Sequence, residues 1–195
     1  MNNFNKPLFN TFVSLPTIPY NIVVHLAKDP KADNLFKLLK YNDYDALSKP
    51  NLSLQEKLSL VWKNDPDQNK YNIFFTQMVE NEQTEERTLL KIYKYTTSPE
   101  NAQTAVVSYE FDILTGGKIT MVEYNGYPCS RLDVAEAILL ESLNGIDVNG
   151  VGYFQFNQQL SRLDRSYYGI GNNTNFTGHG IIMSVMVSDL SNAGC

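Results

Sequence analysis

A chain of 195 residues, 43% hydrophobic and 12% aromatic, is long enough for one domain with extensions and too apolar to be disordered. Its net charge of −5, with no Lys/Arg cluster longer than two residues, argues against a protein whose main activity is gripping nucleic-acid phosphates. Cys129 and Cys195 are too few for a disulfide framework, and no apolar run approaches a membrane span.

Residues 1–24 read as an extended arm. Pro7, Pro16 and Pro19 oppose a long helix, yet Phe4, Leu8, Phe9, Phe12, Val13, Leu15 and Tyr20 are too apolar for a solvated tail. Either the chain's own body or a neighbouring subunit must cover them. The start lacks a basic segment followed by an apolar core, so no signal peptide is expected.

Residues 25–70 form a helical segment. Leu35, Leu38 and Leu39 stand at helical spacing after Asp33, an expected N-cap. Ser53 and Glu56 make a capping-box pattern, followed by Leu54, Leu58, Val61 and Trp62 on one face. Asn64-Asp65-Pro66-Asp67 ends that helix, and Trp62 reads as core.

Residues 71–195 form an α+β domain, expected to share one structural unit with 25–70. Ile73 to Val79 and Leu89 to Tyr95 read as strands joined by an acidic tip with Glu80, Glu82, Glu85 and Glu86. The alternation through Ala105, Val107, Tyr109, Phe111 and Ile113 marks a strand with one wet face. Thr115-Gly116-Gly117-Lys118 reads as a tight turn into a strand at Ile119 to Tyr124, giving four neighbouring antiparallel strands. Tyr127-Pro128 breaks the sheet. Ser130, with Asp133 three residues on, starts a helix striped by Leu132, Ala135, Leu139 and Leu143 and ended by Gly145. A Gly- and Asn-rich connection over 145–180 follows, with a short strand candidate at Tyr153 to Phe156, then a closing strand from Ile181 to Val187.

The best catalytic pattern is Cys129 just before a helix with His179 entering a later strand, since a helix N-terminus lowers a thiol's pKa. That layout resembles cell-wall peptidases of the NlpC/P60 type, but here several strands precede the Cys, and Ser130 rather than Cys129 caps the helix. The plainer reading packs Cys129 on Val134 as a hydrophobic staple. His25 and His179 are too far apart in sequence for a metal site without supporting cysteines. The G-x-G triplets at 150–152, 169–171 and 178–180 do not open helices as a phosphate loop must. No catalytic, metal or cofactor-binding residues are expected.

Over residues 71 to 190 the chain resembles tail-terminator, tail-completion and head–tail joining proteins of tailed bacteriophages. The likeness is carried by Arg87 to Tyr95, Ala105 to Leu114, Arg131 to Leu140 and Phe176 to Val187. It implies an α+β fold: an antiparallel sheet of four to five strands with a helix on one face, extended here by N-terminal helices and the arm. It also implies a virion protein, assembled in the host bacterial cytoplasm as a six- or twelve-fold ring. Its partners would be itself and adjacent portal, neck or tail proteins, with DNA passing through the lumen. The interface residues expected from the arm and the late loop are Phe4, Phe9, Phe12, Tyr20, Tyr167, Tyr168 and Phe176.

Overall fold

A computed structural model describes residues 12–77, 86–101, 104–157 and 176–188. A 3₁₀ turn at Phe12–Thr17 leads into α1 (Ile18–Lys28), α2 (Asp33–Lys40) and α3 (Leu54–Ser59). Strands β1 (Ile73–Phe74), β2 (Thr88–Pro99) and β3 (Thr104–Gly116) follow, then the hairpin β4 (Met121–Tyr124) and β5 (Tyr127–Ser130). Helix α4 (Arg131–Leu143), β6 (Gln155–Phe156) and β7 (Phe176–Ser188) complete the order. The main sheet runs β1-β2-β3-β7-β6, and β4-β5 forms a second, smaller one. The expected α+β class is borne out.

The stretch expected to be an extended arm is helical from Phe12 to Lys28. Pro16 sits in the 3₁₀ turn, and Pro19 lies in the first turn of α1, where a missing N–H costs nothing. Ile18, Ile22, Val23 and Leu26 are buried against the chain's own core. The Tyr109 hydroxyl reaches back to donate to the Leu15 carbonyl at 3.2 Å. Residues 1–11, including Phe4 and Phe9, lie outside the described residues.

Asp33 does not cap α2 as expected. It lies inside the first turn and pairs with the buried Lys57 ammonium, while Asp29 caps the turn before it through Lys31 N at 3.0 Å. The Ser53–Glu56 capping box is present in full, but α3 stops at Ser59, short of Trp62. Trp62 instead packs beside a separate cluster of Phe74, Leu89, Leu114 and Phe176.

Two features of the sheet correct the strand reading. β1 pairs parallel to β2 rather than forming an antiparallel hairpin with it. Gly116-Gly117 makes no hairpin either: neither glycine has a positive φ, and β3 runs through Gly116 paired with Phe176. β7 occupies the edge of β3 where the next strand in sequence was to lie, so 121–130 folds as its own hairpin. Its turn is Asn125-Gly126, with φ of 53° and 81°, both positive as a type I′ turn requires. Tyr127-Pro128 therefore belongs to a strand.

β3 sends Tyr109, Phe111 and Ile113 into the main core beneath α1, α2 and α4. Its other face is not wet as expected: Ser108, Glu110 and Asp112 are buried there. Lys91 stands directly opposite Asp112, and the Tyr93 hydroxyl donates to Asp112 Oδ2 at 2.7 Å. Ser108 and Ser184 share a 2.8 Å hydrogen bond across β3 and β7. Polar groups survive burial when they are paired in this way.

Candidate interaction site

The start of α4 is a rigid platform. The Ser130 hydroxyl accepts from Asp133 N at 3.3 Å, capping the helix as the sequence indicates. Arg131, the next residue, is fully buried. Its Nε donates to the Ile119 carbonyl (2.8 Å), Nη1 to Leu38 (3.0 Å) and Tyr41 (2.8 Å), and Nη2 to Asn42 (3.2 Å) and Asp43 (2.8 Å). A guanidinium has five N–H donors, and all five are used here. Burial pulls its pKa below the ordinary arginine value, with the Asp43 carboxylate opposing that pull. One side chain thus ties the entry to β4, the end of α2 and the 41–43 loop into a single block.

The β4–β5 hairpin stands on that block. Val122 faces inward and is fully buried, Cys129 packs partly against the same core, and Glu123 N donates to the Tyr44 carbonyl at 2.9 Å. Tyr124 (37% exposed) and Tyr127 (70%) are cross-strand partners at the hairpin tip, on the same face as Val122, while Met121 (45%) lies on the opposite face and Tyr44 (48%) in the preceding loop. The Tyr124–Tyr127 pair is a candidate interaction surface, since tyrosine is enriched at interfaces.

A second apolar surface lies on the main sheet. A groove of about 620 Å³ is lined by Val106, Tyr153, Val185 and Met186, among others. Tyr153 is 66% exposed and Met186 61%. Val106 and Met186 are direct cross-strand partners, so they form one patch. The hairpin follows the Gly116 end of β3 and the groove sits at its Thr104 end.

Strand addition is a poorer route to association. Among the described residues, β1 covers the outer edge of β2 only at Leu90 and Lys91. The remainder of that edge carries Lys94, a bulge between Lys94 and Thr96, and Pro99, all of which discourage pairing with another chain.

Among the described residues no hydrogen bond joins Cys129 to His179, the two residues of the catalytic pattern. His179 Nδ1 lies 2.9 Å from Glu136 Oε2 and 3.9 Å from Asp133 Oδ1, so that nitrogen faces the carboxylates of α4. Cys129 is paired with Val122 across the hairpin. Of the expected interface residues, Phe176 is buried with Phe74, Leu89 and Leu114 and is committed to the subunit's own core. Tyr20 is exposed on α1 and stacks edge-on against Phe75 at 6.4 Å. Phe12 begins the 3₁₀ turn, and Phe4, Phe9, Tyr167 and Tyr168 lie outside the described residues. The sequence reading places Tyr124 at a strand end and Tyr127 at a break, and names neither as an interface residue. The signal was present in Tyr124-Asn125-Gly126-Tyr127, an Asn-Gly turn between two aromatics.

Among the described residues no cluster of three or more His, Cys, Asp or Glu side chains is placed to hold a metal ion, and no helix is long and apolar enough to cross a membrane. No curated protein and no solved structure matches the chain. The family model YomW matches residues 32–185, which takes in α2 to α4, the hairpin and most of the sheet. The chain belongs to the YomW family, a family of phage gene products.

Proposed function

We propose that this chain is a structural protein of the phage particle, one that assembles into a homo-oligomeric ring at the head–tail junction. In that role it joins or seals head and tail around the DNA channel. Its partners are further copies of itself and the adjacent portal, neck or tail proteins, and it carries out no chemistry of its own. The observation that carries this reading is a pair of exposed apolar patches on two different sheets, the Tyr124–Tyr127 tip of the β4–β5 hairpin and the groove beside β7. A surface repeated on every subunit and matched to a different surface generates rings when the rotation closes. The net charge of −5 suits a passage that DNA slides through without adhering, because like charges repel.

The Cys-His hydrolase alternative has less support, because among the described residues no hydrogen bond joins Cys129 to His179, as a nucleophile and its base require. Electron microscopy of the purified chain tests the proposal. Closed rings with a central opening are expected, and labelling of intact particles should place the protein at the neck. A monomer at every concentration, or a label on the tail tip or capsid shell, would overturn it.

A further inference from the structure

A recess of about 420 Å³ lies where the end of α2, the 3₁₀ turn Gln68–Lys70 and the residues leading into β2 meet. Three cations line it, Lys40, Lys70 and Arg87, together with the amides Asn42, Asn69 and Asn72 and one carboxylate, Glu86. No aliphatic or aromatic residue is among the described residues of that lining. The cations come from three separate segments, so no basic run marks them in the sequence, yet the fold gathers them on a chain of net charge −5. The walls are held in place. Arg87 is buried and donates through Nη1 to the Gln68 (3.1 Å) and Tyr71 (2.9 Å) carbonyls, fixing the turn that carries Asn69 and Lys70. Arg131 Nη2 holds the Asn42 carbonyl at 3.2 Å, and Asn42 Nδ2 donates to the Glu86 carbonyl at 2.7 Å. Asn72 Nδ2 donates to the Thr88 carbonyl at 2.9 Å.

We infer that this recess binds a phosphate group. An amide nitrogen carries two N–H donors, so among the described residues Asn42 and Asn72 each keep one beyond the bond already made. Lys40 is exposed and forms no ion pair among the described residues. Lys70 shares its ammonium with Asp67 at 3.2 Å, an exposed pair that water weakens and that a second anion can enter. The one carboxylate of the lining is already engaged: Glu86 Oε2 accepts from Lys118 N at 3.2 Å and lies so close to Gly116 that a Cβ there would collide with it. The donors therefore stand on three walls, α2 with the loop after it, the 3₁₀ turn, and the approach to β1. A tetrahedral anion has oxygens enough to accept from all three, whereas the two oxygens of a carboxylate lie in one plane and reach fewer. A neutral polar molecule would leave the cations unused, and an apolar one would meet no apolar wall. The volume falls in the range of small-molecule sites and leaves room for whatever bears the phosphate. The recess shares no residue with the groove or the hairpin, so the inference does not rest on the ring reading.

Equilibrium dialysis of the full chain against radiolabelled inorganic phosphate tests it. The wild type should take up one phosphate per chain, with a dissociation constant of about 1 mM or tighter. The double variant Lys40→Met, Lys70→Met should bind at least tenfold more weakly. Lys63→Met, at an exposed lysine outside the recess, should bind as the wild type does. Both recess lysines are exposed, and circular dichroism checks that the double variant is folded. Should it not be, Lys40→Met alone must still weaken binding severalfold. Competitors then separate the sources of the phosphate group. Displacement by glycerol phosphate but not by a short DNA duplex assigns the site to a small phosphorylated molecule. Displacement by the duplex assigns it to a nucleic-acid backbone, and displacement by neither assigns it to inorganic phosphate itself. Acetate at the same concentration should displace little. Uptake by the wild type that does not saturate, an equal loss in Lys63→Met, or equal displacement by acetate would overturn the inference.

Discussion

Arg131→Met removes the guanidinium while keeping most of the aliphatic volume, and five backbone carbonyls lose their donor. Their fates differ. Asn42 and Asp43 are exposed residues, so their carbonyls can turn to water at little cost. Leu38 is buried, and Tyr41 and Ile119 are half-buried, so their carbonyls lose a partner where water reaches poorly. At about 1–3 kcal/mol for each stranded acceptor, less some relaxation, the loss is about 3–5 kcal/mol. The gain from no longer burying a charge does not cancel this, because the carbonyls remain and methionine offers them nothing. Arg131→Lys should also fail: an ammonium has three donors on a flexible stem and cannot span five carbonyls in a planar fan. Against a total stability of about 5–15 kcal/mol, the Met variant should lower Tm by about 10 °C or more. Urea unfolding followed by far-ultraviolet circular dichroism measures it. A loss below about 1 kcal/mol would show that the block holds without its clamp.

Phe176→Ala should cost about 3–5 kcal/mol in the same assay, because the ring is buried with Phe74, Leu89 and Leu114. Ser53→Ala should cost about 1 kcal/mol by removing the capping box of α3. It should also flatten the acid limb of stability: the Ser53 hydroxyl and backbone hydrogen bonds hold the Glu56 carboxyl below its ordinary 4.5, so that stabilisation is present above pH 4.5 and lost as pH falls through the folded value. Tyr109 is pushed above the ordinary phenol range by burial, so its contribution is full below pH 10 and declines as pH rises beyond that. Ultraviolet titration should find at least one tyrosine that ionises only on unfolding, and Tyr109→Phe should abolish it.

The local signals were legible where a few neighbouring residues decide the outcome. Ser130 caps α4, the Leu132, Ala135, Leu139 and Leu143 stripe is buried, and the Ser53–Glu56 box forms. Pairing was less legible because it depends on distant segments. Gly116-Gly117 has the composition of a tight turn, but β7, sixty residues later in the chain, pairs with β3 along its whole length. The parallel β1–β2 pairing depends on the path of the chain between them, not on the residues of either strand. The arm was misread because three prolines were weighed as helix breakers without regard to position, and Pro19 sits where proline starts a helix. The exposed Tyr124–Tyr127 pair is not legible in the sequence because tyrosines beside an Asn-Gly turn read as strand residues until the hairpin stands apart from the main sheet.

The buried polar row on the second face of the sheet has a structural logic of its own. β2, β3 and β7 are 12 or 13 residues long and apolar on the core side. A slip of two residues would keep every side chain on its face and exchange one aliphatic contact for another, so apolar packing alone sets the register weakly. The polar row removes that freedom. In the observed register Lys91 meets Asp112, Tyr93 reaches Asp112 and Ser108 meets Ser184. Slipping β2 by two places Lys91 opposite Glu110 or Leu114, and slipping β7 places Ser108 opposite Ile182 or Met186. Each alternative strands at least one buried polar group, at a cost of about 1–3 kcal/mol apiece. Register in turn shapes the groove, because Val106 lies beside Met186 only when β3 and β7 are aligned as they are. The polar row therefore sets the register that brings Val106 and Met186 together.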